Sequence, residues 1–396
     1  MTEKIRCVLI RQLAPKNFLS FGPDNAGIEL KELNLFIGPN GCGKSNLIEA
    51  ISLMRSAPKV LREVTQKGGG GVAEWIWKGR PHEPASIDCV VSNPKGSMPL
   101  RHVLSFRPVA QAFSLEDERV ENEYPQAGQQ DVYFYYRYQR GDPVVNTREH
   151  QRRRLARETI EADLSILAQR RDPEIYPELA WLVQNYERVR IYREWAFGRN
   201  AVFRAPQETD NRNDVLEEDF SNLGLFLNRL KTRFPAAKRA ILNGLKDLYD
   251  GIHDFDVLVE GGTVQVFFTE GDFVIPATRL SDGTLRYLCL LAILCDPEPP
   301  PLICIEEPEL GLHPDILPKV ADLLRAASER TQLVVTTHSD ILVDAMTETP
   351  EAVVVCSKQQ GQTIMERLNP DDLGEWLKKY RLGQLWTKGE IGGTRW

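Results

Sequence analysis

A short glycine-rich stretch has the composition and spacing of a phosphate-binding loop. Its residues, in order, are Gly38, Pro39, Asn40, Gly41, Cys42, Gly43, Lys44 and Ser45. The apolar run Leu33 to Ile37 precedes it, and a helical pattern begins at Asn46. Strand, glycine-rich loop and helix in this order turn backbone N–H groups and a helix N-terminus toward an anion. The sequence therefore predicts that Lys44 contacts the β- and γ-phosphates of a nucleotide and that Ser45 is a magnesium ligand.

Two later apolar runs end in polar groups that complement such a loop. Leu302 to Ile305 is followed by Glu306 and Glu307, and Leu333 to Thr337 is followed by His338. In a parallel α/β sheet, the carboxyl ends of the strands meet at the edge where ligands bind. We expect Glu306 to bind Mg²⁺, Glu307 to act as general base on the attacking water, and His338 to sense the γ-phosphate. Singly, each residue could be structural, but their order after the phosphate-binding loop favours the functional interpretation.

A third polar group opens the helical pattern that runs from Leu285 to Leu294. Ser281, Asp282 and Gly283 lie just before it. Serine and aspartate are favoured helix N-caps, and a cap alone would explain them. The same helix start also presents unpaired N–H groups, which suit a phosphate.

The composition indicates a cytoplasmic globular protein with two domains, or one large domain with insertions. The 396 residues are 42% hydrophobic, and a net charge of −7 gives no global signal for nucleic-acid binding. The seven cysteines include no Cys-x-x-Cys pair, which suits a reducing compartment and argues against a disulfide framework or zinc site. The N-terminus lacks an apolar signal segment, and the longest apolar run, Leu288 to Cys295, is too short to span a membrane.

The segments between these motifs divide the chain into three parts of an α/β protein. Alternating patterns from Ala85 to Tyr138 predict an antiparallel sheet, so residues 1–147 combine the phosphate-binding loop with a β-lobe. Helical periodicity from Thr159 to Arg193 and beyond predicts a compact helical insertion over residues 148–250. Residues 251–396 carry the remaining motifs and the tail.

One local segment is strongly basic. Between Arg137 and Arg157 there are seven arginines against Asp142 and Glu149. This composition predicts either a contact with a nucleic-acid backbone or a solvated charged surface, and the sequence favours neither. The aromatic residues from Tyr133 to Tyr138 are explained by cross-strand pairing better than by stacking on bases.

Five motifs in a fixed order give the chain a family resemblance. Residues 38–45 resemble a Walker A motif, residues 280–284 an ABC signature, residues 303–307 a Walker B motif, residues 309–314 a D-loop and residues 337–339 a switch histidine. Together they resemble the ABC-type ATPases of the RecF/SMC-like class, above all the stand-alone "AAA family" ATPases and the ATPase half of overcoming-lysogenisation-defect nucleases. The resemblance covers residues 1 to about 135 and 255 to about 368. It implies a P-loop NTPase with a two-lobed, ABC-type head.

The resemblance also implies that ATP and Mg²⁺ are bound between two heads. Walker A of one head, with Asn46, would face Ser281, Asp282 and Gly283 of the other. The chain is therefore expected to form a homodimer, or a higher homo-oligomer, through the nucleotide site. Glu306 is a departure, because many ABC proteins have aspartate there; its extra methylene still permits ligation of Mg²⁺ through water.

ABC ATPases carry a further glutamine, in the Q-loop, that contacts the nucleotide site. We assign it to Gln169, where the β-lobe gives way to helices. Gln111 and Gln139 are alternatives, and an ordinary surface glutamine explains position 169 equally well.

The resemblance finally implies a switch that regulates a DNA transaction or a separately encoded anti-phage effector, such as a Toprim-like nuclease. Too few residues follow His338 for a fused Toprim domain. A nucleotide-gated scaffold with negligible turnover and a RecF-like repair ATPase are the alternatives.

Overall fold

The computed structural model describes residues 8–67, 70–96, 98–139, 142–149, 151–155, 161, 163–198 and 201–393. In chain order, its strands are β1 Ile10–Lys16, β2 Ile28–Glu29, β3 Leu33–Ile37, β4 Ala85–Val91, β5 Leu100–Val109, β6 Ala112–Asn122, β7 Phe134–Gln139, β8 Asp142–Asn146, β9 Arg152–Arg154, β10 Arg190–Tyr192, β11 Gln207–Glu208, β12 Ile252–Glu260, β13 Thr263–Glu270, β14 Phe273–Pro276, β15 Leu302–Glu306, β16 Gln332–Thr336, β17 Val353–Gln359 and β18 Gln362–Arg367.

The helices are α1 Lys44–Arg55, α2 Leu61–Lys67, α3 Ile166–Gln169, α4 Pro177–Tyr186, α5 Leu223–Arg233, α6 Pro235–Leu248, α7 Asp282–Leu294, α8 Leu317–Ser328, α9 Asp340–Asp344, α10 Pro370–Leu377 and α11 Leu382–Thr387. Within the described ranges, none of them has both the length and the apolar character that crossing a membrane requires.

A six-stranded sheet in the order β10-β15-β16-β3-β17-β18 forms the centre of the molecule. The first five strands are parallel, and β18 pairs with β17 in the antiparallel sense. Leu35 in β3 pairs with Val335 in β16, which pairs with Ile305 in β15. Because these strands run parallel, the polar residues that follow β3, β15 and β16 lie at one edge of the sheet.

Hydrophobic cores cover both faces of this sheet, which explains why its central strands are largely apolar. Leu35 and Ile37 pack into a core that contains the apolar residues of α7. Phe36, between them, points the other way into a core shared with α1. Side chains of a strand alternate between faces, so every residue of β3 is buried.

An antiparallel sheet in the order β2-β1-β4-β5-β6-β7-β8-β9 forms the second layer. It confirms the predicted antiparallel sheet, and its inner face packs in the core that contains α1. The buried side chain of Gln332 in β16 joins the two sheets. Its Oε1 accepts hydrogen bonds from the N–H groups of Leu9 (3.1 Å) and Ile10 (2.9 Å), and its Nε2 donates to the Ile10 carbonyl at 2.7 Å.

Residues 148–250 are less purely helical than their pattern predicts. Helices α4, α5 and α6 are present, but β10 lies between α4 and α5 and pairs with Ile303–Ile305 as the edge strand of the central sheet. The segment therefore shares the core of the head. The predicted domain boundaries, after residues 147 and 250, stay predictions.

A smaller sheet connects this segment to the signature. Its order is β11-β13-β12, with β14 also paired to β13. Apolar residues of α5 and α6 pack against it in the core that also contains α7. Strand β14 leads through a single 3-10 turn, Ala277–Arg279, to Ser281 at the start of α7. This sheet and its two helices thereby fix where the signature lies.

Candidate nucleotide-binding site

The phosphate-binding loop joins β3 to α1, as the sequence predicts. Gly38, Gly41 and Gly43 have φ angles of +143°, +74° and +108°, which favour glycine. A Cβ on Gly38 would lie 2.3 Å from the Cys356 carbonyl oxygen, so no side chain fits at that position. The first turn of α1 contains no acidic residue of its own, which keeps the positive end of the helix favourable for an anion.

Lys44 is buried beneath this loop. Its Nζ donates hydrogen bonds to the carbonyls of Gly38 (2.9 Å) and Pro39 (3.2 Å). Both carbonyls are uncharged and the third contact, Cys42 Sγ at 3.8 Å, is long, so a phosphate group would be a stronger partner for the buried ammonium. The pKa of the neighbouring Cys42 thiol is lowered to about 6, first by a hydrogen bond with Cys356 and further by Lys44.

A chain of hydrogen bonds anchors the loop from behind. Asn46 Nδ2 donates to Ser20 Oγ at 2.6 Å, and Ser20 Oγ lies 2.6 Å from Thr363 Oγ1. Thr363 Oγ1 donates to the Cys42 carbonyl at 2.7 Å. The sequence predicts Asn46 as a contact of the nucleotide, which stays a prediction. The positions of Ser20 and Thr363 could not be predicted, because they depend on contacts between residues hundreds of positions apart.

Ser45 and Glu306 lie together, as a magnesium site at this position requires. Ser45 Oγ lies 3.2 Å from Glu306 Oε2, and Glu306 Oε1 is buried without a hydrogen bond. Burial raises the pKa of the Glu306 carboxyl, which a neighbouring Arg193 opposes. Within the part of the chain that the structure describes, no group of three or more His, Cys, Asp or Glu side chains could form a closed metal site. The pair fits Mg²⁺, which usually takes one or two carboxylates and completes its shell with phosphate oxygens and water.

Glu307 and His338 meet at the ends of β15 and β16. Glu307 has a φ of +48°, an unfavourable conformation for a residue with a side chain, and its N–H donates to the Thr336 carbonyl at 2.9 Å. Its Oε1 lies 3.5 Å from His338 Nε2. Glu309 fixes the backbone here, because its Oε1 accepts bonds from the His338 N–H (2.7 Å) and Thr337 Oγ1 (2.8 Å).

Arg193 and Trp195 also contact Glu306, and the sequence did not reveal them. Arg193 Nε lies 3.4 Å from Glu306 Oε1, and its Nη1 pairs with Glu49 of α1. Trp195 Nε1 donates to the Glu306 carbonyl at 2.6 Å. Both residues follow β10, which the helical pattern obscured. The sequence signal that could have identified this strand is the run Val189 to Tyr192, which is followed by polar residues in the same way as β15 and β16.

The signature residues lie at the surface. Ser281 is the N-cap of α7, its Oγ accepts the Thr284 N–H at 3.1 Å, and Asp282 pairs with Arg204 at 2.5 Å. Ser281 and Asp282 are exposed. A Cβ on Gly283 would meet the Gly311 carbonyl oxygen at 3.1 Å, so this position is tight. These contacts satisfy the cap interpretation and leave the outer face of the helix start accessible.

Gln169 makes its hydrogen bonds within its own segment. Its Nε2 donates to the carbonyls of Leu164 (3.0 Å) and Ser165 (3.4 Å), and its Oε1 accepts the Glu161 N–H. No hydrogen bond among the described residues joins it to Ser45 or Glu306, so the structure adds no support to the Q-loop assignment, which stays a prediction. Of the alternatives, Gln111 lies in the β5–β6 turn and Gln139 at the end of β7.

The basic segment lies on the outer strands of the antiparallel sheet. Arg137 and Arg152 lie over the Phe134 ring, at 4.7 and 5.0 Å from its centroid. Arg154 pairs with Asp142, while all three residues of β9 are exposed. Arg140 and Arg157 lie outside the described residues. Several of these charges therefore have local partners, while Arg148 and the three arginines of β9 are exposed.

Comparisons with known proteins identify the family of the chain. The family described as "AAA domain, putative AbiEii toxin, Type IV TA system" matches residues 33–344, from β3 to the end of α9. No protein in the curated collection of characterised sequences matches the chain.

Two solved structures are similar in fold. A Smc head bound to the C-winged helix domain of ScpA has a TM-score of 0.59 at 15% identity, covering 92% of this chain and 99% of that one. A Smc head with an extended coiled coil, bound to the C-terminal domain of ScpA from Pyrococcus furiosus, has a TM-score of 0.54 at 15% identity, covering 94% and 99%. The predicted resemblance to ABC-type ATPases of the RecF/SMC-like class is confirmed. The chain belongs to the AAA-domain family that matches residues 33–344, and its fold is similar to that of Smc head domains.

Proposed function

We propose that this chain hydrolyses ATP with Mg²⁺ and that two copies of the head enclose the nucleotide between them. One observation carries the proposal. Three parallel strands bring a buried lysine, a serine–carboxylate pair and a carboxylate–imidazole pair to one sheet edge, while the signature serine is exposed elsewhere on the surface. The residues are Lys44, Ser45, Glu306, Glu307, His338 and Ser281.

The phosphate-binding loop and Lys44 would bind the phosphates. The glycines let the loop curl around an anion, and the start of α1 adds positive potential. Lys44 lies beneath the loop, already oriented by two carbonyls, so little side-chain entropy is lost when it contacts the β- and γ-phosphates. Mg²⁺, held by Ser45 and Glu306, would neutralise phosphate charge that builds up in the reaction.

Glu307 is our candidate for the general base. Its side chain is 36% exposed at the sheet edge, so water can reach it. It would accept the proton of a water molecule that attacks the γ-phosphorus, which releases ADP and inorganic phosphate. His338 is close enough to Glu307 to orient that water or the γ-phosphate, and Glu309 keeps its backbone in place.

The signature completes the site from a second copy. Ser281 lies exposed at the start of α7. Its Oγ accepts the Thr284 N–H and lies 2.8 Å from Thr284 Oγ1, so its own O–H can donate to a phosphate oxygen when Thr284 is the donor of that second bond. ATP would then favour the paired state because it gains contacts there that a single head lacks, and hydrolysis would remove them.

The test compares wild-type protein with Glu307→Gln. The wild type should hydrolyse ATP, and its mass should double with ATP but not with ADP. Glu307→Gln should bind ATP, lose turnover by about 100-fold or more, and remain dimeric, because the base is lost while the phosphate contacts persist. Light scattering and phosphate release measure both. Wild-type turnover in the variant would contradict the catalytic assignment. ATP-dependent assembly with negligible turnover in the wild type would point to a scaffold instead.

We further infer that the nucleotide state is read by a separate effector protein, in a DNA transaction or an antiviral defence. The matching family is named for a putative toxin of a toxin–antitoxin system, and the similar SMC head is bound to a domain of a second protein. Co-purification with products of adjacent genes, a Toprim-like nuclease among them, should depend on ATP. Identical capture by the apo, ADP and ATP states would contradict this inference.

Nucleic acid would contact the exposed β9. Replacing Arg152, Arg153 and Arg154 by Gln should weaken binding of duplex DNA and make it less dependent on salt, because fewer phosphates are neutralised. Unchanged binding and salt dependence would assign β9 to a solvated surface. A RecF-like repair role predicts stimulation of the ATPase by DNA.

A further inference from the structure

Residues 193–197, which directly follow β10, contact three parts of the proposed site. Arg193 pairs with Glu306 at the end of β15 and with Glu49, one turn beyond Ser45 in α1. Trp195 binds the Glu306 carbonyl, and Arg286 of α7 contacts this segment from the signature side. One short segment is therefore linked to the phosphate-binding helix, the metal carboxylate and the signature helix.

The guanidinium of Arg193 occupies one side of the metal carboxylate. Its Nε lies 3.4 Å from Glu306 Oε1, the oxygen that accepts no hydrogen bond, while Oε2 faces Ser45. A cation bound by Glu306 would lie within a few ångströms of this guanidinium, and two like charges at that separation in a partly buried site repel strongly. Arg193 has a second carboxylate, Glu49, with which it remains paired if it leaves Glu306.

Trp195 binds the backbone of the same carboxylate residue. Its indole N–H donates to the Glu306 carbonyl at 2.6 Å, and its ring is stacked with Phe220 (5.7 Å between centroids) and Phe197 (6.0 Å). Trp195 is two residues from Arg193. A shift of the Arg193 guanidinium would therefore displace the backbone next to Trp195, whose indole binds Glu306 and packs against Phe197 and Phe220.

Arg286 connects this segment to the signature helix. Its Nη2 donates to the Trp195 carbonyl at 3.1 Å, its Nη1 donates to the Leu310 carbonyl, and its guanidinium lies 4.8 Å from the Phe197 ring centroid. Arg286 is five residues after Ser281 on α7, and Leu310 belongs to the loop after Walker B. A continuous series of contacts therefore connects the Glu306 carboxylate to the signature helix, which a second copy of the chain would contact.

We propose that Arg193 is a positioning residue that binds Glu306 when no divalent cation is present, gives way when Mg²⁺ and ATP bind, and conveys that change through Trp195 and Arg286 to the signature helix. The proposal rests on the proposed ATPase function and adds to it a device that makes pairing of two heads depend on the metal.

The first experiment exploits two variants whose effects should be opposite. Arg193→Gln removes the competing charge, so the free Mg²⁺ concentration for half-maximal binding of a non-hydrolysable ATP analogue should fall about tenfold. Glu49→Gln leaves Arg193 with Glu306 as its only described carboxylate partner, so that concentration should rise several-fold. Arg188→Gln, an exposed arginine beside β10, is the control and should titrate like the wild type. The readout is fluorescence of the bound analogue, so no turnover is required.

These outcomes separate the inference from the proposed function. If the wild type binds no analogue at any Mg²⁺ concentration, the proposed function fails. If the wild type binds and both variants titrate like it, or both shift in the same direction, the function stands and the assignment of Arg193 is wrong. Should Arg193→Gln fail to fold, Arg193→Lys replaces it; its single ammonium cannot pair with both carboxylates as the guanidinium does, so a smaller shift in the same direction is expected.

The second experiment tests transmission to the signature. Arg286→Met keeps the length of the side chain and removes its donors, so the monomer should bind the analogue within about twofold of wild type while analogue-driven dimerisation weakens about tenfold. Arg239→Met, at an exposed position of α6, is the control. Dimerisation of Arg286→Met at the wild-type analogue concentration would overturn the proposed route.

Discussion

The Walker residues and the signature residues differ in how many of their binding partners a single chain provides. Lys44 is buried and bound to two carbonyls, and Ser45 already faces Glu306. Ser281 and Asp282 are exposed, and their described partners do no more than cap and flank a helix. A region that is internally complete can bind a ligand by itself, whereas an exposed helix start needs a partner surface. The contrast explains why we propose that binding belongs to one copy and turnover to two.

The largest effect should come from the Walker side. Lys44→Ala removes the buried ammonium and its two loop hydrogen bonds, so ATP affinity should fall by about 100-fold or more, the loss of roughly 3 kcal/mol. Titration with a fluorescent ATP analogue measures it, and Lys59→Ala, an exposed lysine after α1, is the control. Affinity within a few-fold of wild type would show that Lys44 does not contact phosphate.

Ser281→Arg should sharpen the contrast, because it places a bulky charge on the surface that the second copy must approach. A single head should bind the ATP analogue within about twofold of wild type, while turnover falls by about 100-fold because paired heads no longer form. Scattering and phosphate release report the two properties separately. Loss of nucleotide binding by the isolated head would mean that the signature acts within its own chain.

Thr363→Val tests the support behind the loop. It removes the hydroxyl that links Ser20 to the Cys42 carbonyl and leaves a buried acceptor unpaired, so we expect a loss of about 1–2 kcal/mol in unfolding free energy. ATP affinity should fall only a few-fold, because Lys44 and the loop glycines remain. Denaturant unfolding and analogue titration measure these effects, and an unchanged midpoint would show that the loop needs no such support.

Asp282→Ala should have the smallest effect. The aspartate pairs with Arg204 but its side chain is 54% exposed, and exposed ion pairs contribute at most about 1 kcal/mol. Both nucleotide binding and turnover should stay within a few-fold of wild type. A drop as large as that of Ser281→Arg would assign Asp282 a direct role at the interface between copies.

The sequence revealed those parts of the site that depend on local pattern. β3, β15 and β16 each have five residues and are largely apolar, and the polar groups at or after their ends are recognisable because parallel strands end at one edge. The glycines of the phosphate-binding loop are recognisable from the local composition. Each of these patterns lies within a short stretch of consecutive residues, so it can be recognised without knowledge of tertiary contacts.

The parts that the sequence did not reveal depend on long-range contacts. β10 has only three residues and follows α4 closely, and its strand conformation comes from pairing with Ile303–Ile305, more than a hundred positions away. Arg193 and Trp195 were missed for that reason. Conversely, the clustered arginines near β9 are conspicuous in the sequence, yet Arg154 and Arg137 are engaged by neighbours in the sheet.

Mixing two inactive variants tests the central claim most directly. Lys44→Ala lacks a working Walker side and Ser281→Arg a working signature, so neither should turn over ATP alone. A mixed dimer contains one site with both parts intact, so part of the wild-type activity should return, in proportion to the mixed dimers that form. Turnover that appears on mixing and rises with the concentration of the second variant is the predicted result. A mixture as inactive as its components, although mixed dimers form, would contradict the account.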